Sequence, residues 1–109
     1  MPYADPLTDD EVATALGGLE DWERDGEHIR RSVKLAGFSA AADLVRAVAT
    51  AADAANHHPD VHITGYRTVT FELTTHAAHA LTHRDMELAA EIDRLVDAQA
   101  GAERNSRQT

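Results

Sequence analysis

The stretch Asp25-Gly26-Glu27-His28-Ile29-Arg30-Arg31-Ser32-Val33-Lys34-Leu35 decides the fold class. Ile29, Arg31, Val33 and Leu35 alternate with Arg30, Ser32 and Lys34, and a period of two is the signature of a strand. Asp25-Gly26 in front of that run predicts a two-residue hairpin turn of type I′, which needs positive φ at both central positions. The reading is therefore a short strand near Trp22-Glu23-Arg24, a tight turn, and a longer antiparallel partner. Arg31 falls on the otherwise apolar face, which places this strand near an edge or an interface. Trp22 is expected to anchor the hairpin in the core.

Working outward, Thr8-Asp9-Asp10-Glu11 has the Ser/Thr-x-x-Glu spacing of a capping box. Val12, Leu16 and Leu19 form the apolar stripe of the short helix it opens, and Gly17-Gly18 stops it. Residues 1–6, with two prolines, read as a flexible entry. After the hairpin, Ser39 is expected to cap a second helix with the stripe Ala41, Leu44, Val45, Val48, Ala52 and Ala55. That helix must end before Pro59, because the residue ahead of a proline is pushed out of the α region. Val61 and Ile63 mark a short third strand, with Gly65 near the turn that follows. Val69, Phe71 and Leu73 alternate with Thr68, Thr70, Glu72 and Thr74 as a fourth.

Thr82-His83-Arg84-Asp85 repeats the capping pattern, with Asp85 at the third helical position. Leu88, Ala89, Ile92, Leu95 and Val96 give the third helix its stripe. Residues 100–109 are expected to be a disordered polar tail, leaving one domain over 7–99. The order α-β-β-α-β-β-α predicts an α+β fold: a four-stranded antiparallel sheet with three helices packed on one face.

Composition narrows the function. The chain has 109 residues, 10 Lys+Arg against 19 Asp+Glu, a net charge of −9, no cysteine and seven histidines. The acidic balance argues against nucleic acid and anionic membrane as partners, since both call for clustered Lys and Arg. Without cysteine there is no disulfide, no thiolate-held metal and no thiol nucleophile. No apolar run is long enough to span a membrane and no basic-plus-apolar leader opens the chain, so it reads as cytoplasmic.

Six of the seven histidines lie between His57 and His83. The densest piece is Asp53-Ala-Ala-Asn56-His57-His58-Pro59, where Asp53 stands four residues before His57 and is placed to orient its ring. Pro59 makes the break after the helix a defined corner. His76 follows the fourth strand, where a strand end can aim a side chain into a crevice. His76, His79 and His83 have a spacing that would align metal ligands on one helix, but the cap at Thr82 falls between them. Asp85 is accounted for by its capping position.

Asp53-x3-His57-His58-Pro59, then six residues to Tyr66, nine more to His76 and eight more to Asp85, resembles the signature of the pterin-4a-carbinolamine dehydratases. The similarity extends from Leu7-Thr8 to about Gln99. The resemblance implies the same four-stranded, three-helix fold. It implies removal of water from a 4a-hydroxytetrahydropterin to give quinonoid dihydropterin, with no metal or organic cofactor. His57, His58 and His76 would be the catalytic set: His57 and His76 in the acid–base roles, either one the donor, and His58 holding the pterin. Pro59 would shape the wall, Asp53 would tune His57 or touch the ring, and Thr75 and Ala77 would offer backbone groups to the pyrimidine edge.

Imidazoles suit such chemistry because they give and take protons near neutral pH. Val61 stands where animal members carry an aromatic residue. The resemblance further implies a homodimer or homotetramer built by joining sheets and packing helices, and an aromatic amino acid hydroxylase in the same pathway. A non-catalytic binding or assembly protein on the same fold is the alternative.

Overall fold

A computed structural model of the chain describes residues 5–108, with side chains described through Gln99. Thr8 opens α1 (Asp9–Leu16) with both halves of the capping box. Its hydroxyl accepts from the Glu11 N–H at 3.1 Å, and Glu11 Oε1 accepts from the Thr8 N–H at 2.8 Å. Gly17 ends the helix as expected.

The hairpin follows as β1 (Glu23–Asp25) and β2 (His28–Lys34), paired antiparallel with Asp25 opposite His28. Its turn is Gly26-Glu27, one residue later than the sequence predicts, and positive φ occurs at Gly26 alone. Glycine in the first loop position is the requirement of a type II′ turn, so the type I′ expectation is corrected.

α2 (Phe38–Ala55) starts two residues earlier than predicted. Gly37 is its N-cap, no side chain caps it, and Ser39 lies inside the helix and exposed. Its buried stripe is Ala41, Leu44, Val48 and Ala52. Ala55, counted in the predicted stripe, is exposed.

β3 (Asp60–Thr64) and β4 (Thr68–Leu73) form the second hairpin. After β4 a 3₁₀ turn, His76–Ala78, leads to α3 (His83–Gln108). The helix thus takes in residues expected to be a disordered tail. Residues 1–4 of the predicted flexible entry, and Thr109, lie outside the described residues.

The strand order is β1-β2-β4-β3, antiparallel throughout. Ile29 pairs with Leu73, Arg31 with Phe71 and Val33 with Val69, so one face of the sheet is the apolar face predicted from the alternation. Phe71, Ile29, Leu73 and Val69 on that face are fully buried beside Leu44 and Val48 of α2 and Ile92 of α3. The opposite face carries Arg30, Ser32, Thr70 and Glu72, joined by a Ser32–Thr70 hydroxyl contact of 2.7 Å and an Arg30–Glu72 ion pair at 3.4 Å.

Arg31 is explained by this arrangement. β1 covers only the first part of β2, so from Arg31 onward the strand has no neighbour on that side among the described residues. The guanidinium itself turns into the helix layer. It pairs there with Asp93 of α3 and with Asp21 at 3.5 Å, while the buried Trp22 indole donates to Asp93 Oδ1 at 2.8 Å. A charge on the apolar face is tolerated because it is paired. Trp22 is the predicted core anchor, with its polar tip satisfied.

Candidate active site

Three chain segments meet at one end of the sheet: the end of α2, the loop after β4, and the start of α3. They enclose a cleft of about 230 Å³ lined by Asn56, His57, His58, Thr74, Thr75, His76, Ala77 and Arg84. The local geometry begins with Asn56, the C-cap of α2, at φ 50 and ψ 44. Asparagine tolerates this left-handed conformation better than most residues. It turns the chain out of the helix before His57, ahead of Pro59.

That single turn re-assigns the carboxylates. The spacing of Asp53 and His57 predicts their contact only if the helix continues through both. Because it stops at Ala55, His57 swings away, and Asp53 Oδ1 lies 3.0 Å from His58 Nε2 instead. His57 Nε2 lies 2.6 Å from Asp85 Oδ1. The expectation that Asp53 orients His57 is therefore replaced by an Asp85–His57 pair.

Asp85 is the partner of His57 that sequence reasoning did not assign. It does cap α3 as predicted, since its Oδ2 accepts from the Thr82 N–H at 2.9 Å. The same oxygen accepts from the Thr75 hydroxyl at 2.8 Å, and the second oxygen is left for His57. With its proton on Asp85, Thr75 accepts from the Thr82 hydroxyl at 2.8 Å, and Thr82 Oγ1 accepts from the Arg84 N–H at 3.2 Å.

Asp85 and Thr82 are 0 % exposed, Thr75 3 % and His57 8 %. A carboxylate is an acceptor-only group, and here it meets three donors, so it is satisfied despite complete burial. The sequence offered the Thr82-x-x-Asp85 spacing, which one oxygen was enough to explain, and the last position of the family signature, to which no role beyond the cap was given.

The network also sets the His57 tautomer. Nε2 faces an acceptor-only oxygen and carries the proton, an assignment made from the hydrogen-bond partners. Nδ1 then holds a lone pair. It has no hydrogen-bond partner among the described residues, and His57 lines the cleft. A carboxylate behind one imidazole nitrogen and no protein partner on the other leaves the ring able to take up or give a proton.

His76 is the first residue of the 3₁₀ turn and is exposed. Its loop is closed by a two-way bridge, Thr75 N–H to Ala80 O at 3.1 Å and Ala80 N–H to Thr75 O at 3.4 Å. Thr75 O also accepts from Ala78 N–H at 3.1 Å. Thr75 thus commits its own N–H and C=O within the loop, while none of these bonds engages Ala77.

Of the expected site residues, His57, His58, His76, Thr75 and Ala77 share the cleft. Asp53 and Pro59 lie on the far side of His58, in an apolar hollow of about 140 Å³ with Val45, Val48 and Val61. His76, His79 and His83 fall at the start of the 3₁₀ turn, at its C-cap and at the start of α3, so they do not share a helix face.

Fold and site together define a class: a four-stranded antiparallel sheet covered on one face by helices, with a histidine-lined cleft where α2, the loop after β4 and α3 converge. Comparison with known proteins narrows that class. The chain belongs to the pterin 4 alpha carbinolamine dehydratase family, whose model matches residues 5–95.

It is 53 % identical over 89 residues to a provisionally named pterin-4-alpha-carbinolamine dehydratase of Nocardia farcinica, covering 82 % of this chain and 93 % of the relative. A provisionally named counterpart in Mycobacterium tuberculosis is 47 % identical over 92 residues, covering 84 % and 97 %. Among solved structures, a transcriptional coactivator/pterin dehydratase from Brucella melitensis superimposes with a TM-score of 0.80 at 30 % identity, covering 84 % of this chain and 99 % of that one. A pterin dehydratase-like protein identified as a RuBisCO assembly factor in the alpha-carboxysome reaches 0.57 at 16 % identity, over 69 % and 86 %, which is a likeness of fold.

Proposed function

We propose that this chain dehydrates 4a-hydroxytetrahydropterin to quinonoid dihydropterin by histidine acid–base catalysis. The observation that carries the reading is the buried Asp85 behind the Nε2 of His57, a histidine that lines the same cleft as His76. Loss of hydroxide from the carbinol carbon needs a proton on the departing oxygen, and the ring nitrogen must lose one. Water leaves, and the proton count balances.

His57 and His76 line the same cleft and supply one group for each transfer, and positioned groups of this kind contribute about 10²–10⁴-fold each. His58, held by Asp53, stands at the boundary of the cleft and the apolar hollow, where it bears on the bicyclic ring. Pro59 supplies the wall of that hollow, and Ala77 the backbone groups for the pyrimidine edge. The chemistry calls for no cofactor.

In this reading the protein acts in the cytoplasm downstream of an aromatic amino acid hydroxylase. No helix among the described residues is long and apolar enough to cross a membrane. It works as a homodimer or homotetramer, because β3 is an edge strand with Ile63 exposed and an open edge is a template for pairing. Light scattering showing only monomer at micromolar concentration would remove the oligomer from the proposal.

The catalytic test is the decay of freshly generated 4a-hydroxytetrahydropterin. The wild type is expected to accelerate it, and His57→Ala and His76→Ala to lose most of the acceleration. A folded wild type that leaves the spontaneous rate unchanged contradicts the reading, and the histidines then serve a binding role.

A further inference from the structure

The Asn56–His57 peptide is held at both ends, and the clamp on its carbonyl comes from a side chain outside the histidine set. The His57 N–H donates to Ala52 O at 3.1 Å, inside the last turn of α2. The Asn56 carbonyl accepts from Arg84 Nη2 at 2.6 Å, from the first turn of α3. The next residue along α3, Asp85, takes the His57 ring. Consecutive α3 residues thus grip consecutive α2-corner residues, one by backbone and one by ring. The corner needs the grip: Asn56 lies in the left-handed region, where a short segment has little of its own to hold one peptide orientation.

We infer that Arg84 is a positioning residue for the proposed dehydration, fixing the Asn56–His57 peptide so that His57 Nδ1 faces the cleft. This rests on the assignment of His57 as an acid–base group. Arg84 borders the cleft, so direct contact with substrate is the competing role, and the two predict different kinetics. A residue that only aims His57 changes the chemical step and leaves binding alone; a residue that grips the pterin changes binding. Small misplacements of a reacting group are costly, up to about 10²-fold for 1 Å.

Arg84→Gln is therefore expected to lower kcat by about 10- to 100-fold with KM within about twofold of wild type. Arg84→Lys keeps a donor for the Asn56 carbonyl and is expected to recover most of that loss. Adding Arg84→Gln to His57→Ala is expected to cost nothing beyond His57→Ala, because the group being aimed is gone.

A raised KM at unchanged kcat, or full additivity with His57→Ala, overturns the inference. So does an Arg84→Gln chain that no longer folds, which makes the bond purely structural. If the wild type itself shows no dehydration, the proposed function fails instead. The role of Arg84 is then read from the His57 imidazole nitrogen spectrum, where Arg84→Gln should shift the ring signals while Asp85 keeps the proton on Nε2, and an unchanged spectrum would overturn the inference.

Discussion

His57 and His58 are neighbours in the chain, and each faces a carboxylate, yet the two pairs are physically different objects. His57–Asp85 is buried, with side chains 9 % and 0 % exposed, and Asp85 accepts from three donors. His58–Asp53 sits in the open, with side chains 57 % and 78 % exposed. A buried carboxylate cannot exchange partners without leaving a donor stranded, whereas an exposed one trades its partner for water at little cost. The first pair can fix a tautomer and a direction; the second can only bias a side chain. One left-handed residue, Asn56, separates them.

The largest effect that can break this contrast is on stability. Asp85→Ala strips acceptors from His57, Thr75 and the Thr82 N–H at once and removes the α3 cap. Chemical denaturation should show a loss of about 3 kcal/mol or more, as when one partner of a buried pair is removed. Asp53→Ala should cost no more than about 1 kcal/mol, and that little should fade with added salt. Equal losses in the two variants would dissolve the distinction.

A smaller effect sharpens it. Glu11 occupies the same third helical position in α1 that Asp85 holds in α3, but only as a cap on the surface. The Thr8 backbone N–H, followed by the Thr8 hydroxyl, holds the Glu11 carboxyl below its ordinary 4.5. A carboxyl depressed in the folded state adds stability above the unfolded value and loses it as pH falls through the folded one. Melting of wild type against Glu11→Ala should therefore show a gap that is largest near pH 7 and narrows below about pH 4.5. A gap that grows on acidification would contradict the cap.

The fold was legible where periodicity and capping act locally. The alternation over Ile29–Leu35 and Thr68–Thr74, the capping box at Thr8 and the stripes of α2 and α3 all reappear as elements. The misses lie at turns and helix ends, by one residue at the first hairpin and two at the head of α2. Gly26, not Asp25-Gly26, takes the strained turn position, and Gly37 does at the head of α2 what Ser39 was expected to do.

In the cleft, residue types were legible but partners were not. Spacing pairs Asp53 with His57 only while the helix continues, and no local pattern announces that Asn56 will leave it. Asp85 was hidden for a different reason. Its capping role is real and was taken to account for its place in the signature, so the second oxygen went unassigned, and its partner lies 28 residues away at His57. Arg31 likewise needed Asp93, a partner on a distant helix.

The measurement that bears most directly on the account is the dehydration rate of 4a-hydroxytetrahydropterin with Asp85→Asn and Asp53→Asn side by side, each confirmed folded. Asp85→Asn keeps the size of the buried group but offers one acceptor oxygen where two are used. The account predicts that this variant loses about 100-fold or more of the enzymatic acceleration, and that Asp53→Asn stays within a few-fold of wild type. The reverse order, or equal rates in both, would contradict the claim that the buried pair performs the chemistry.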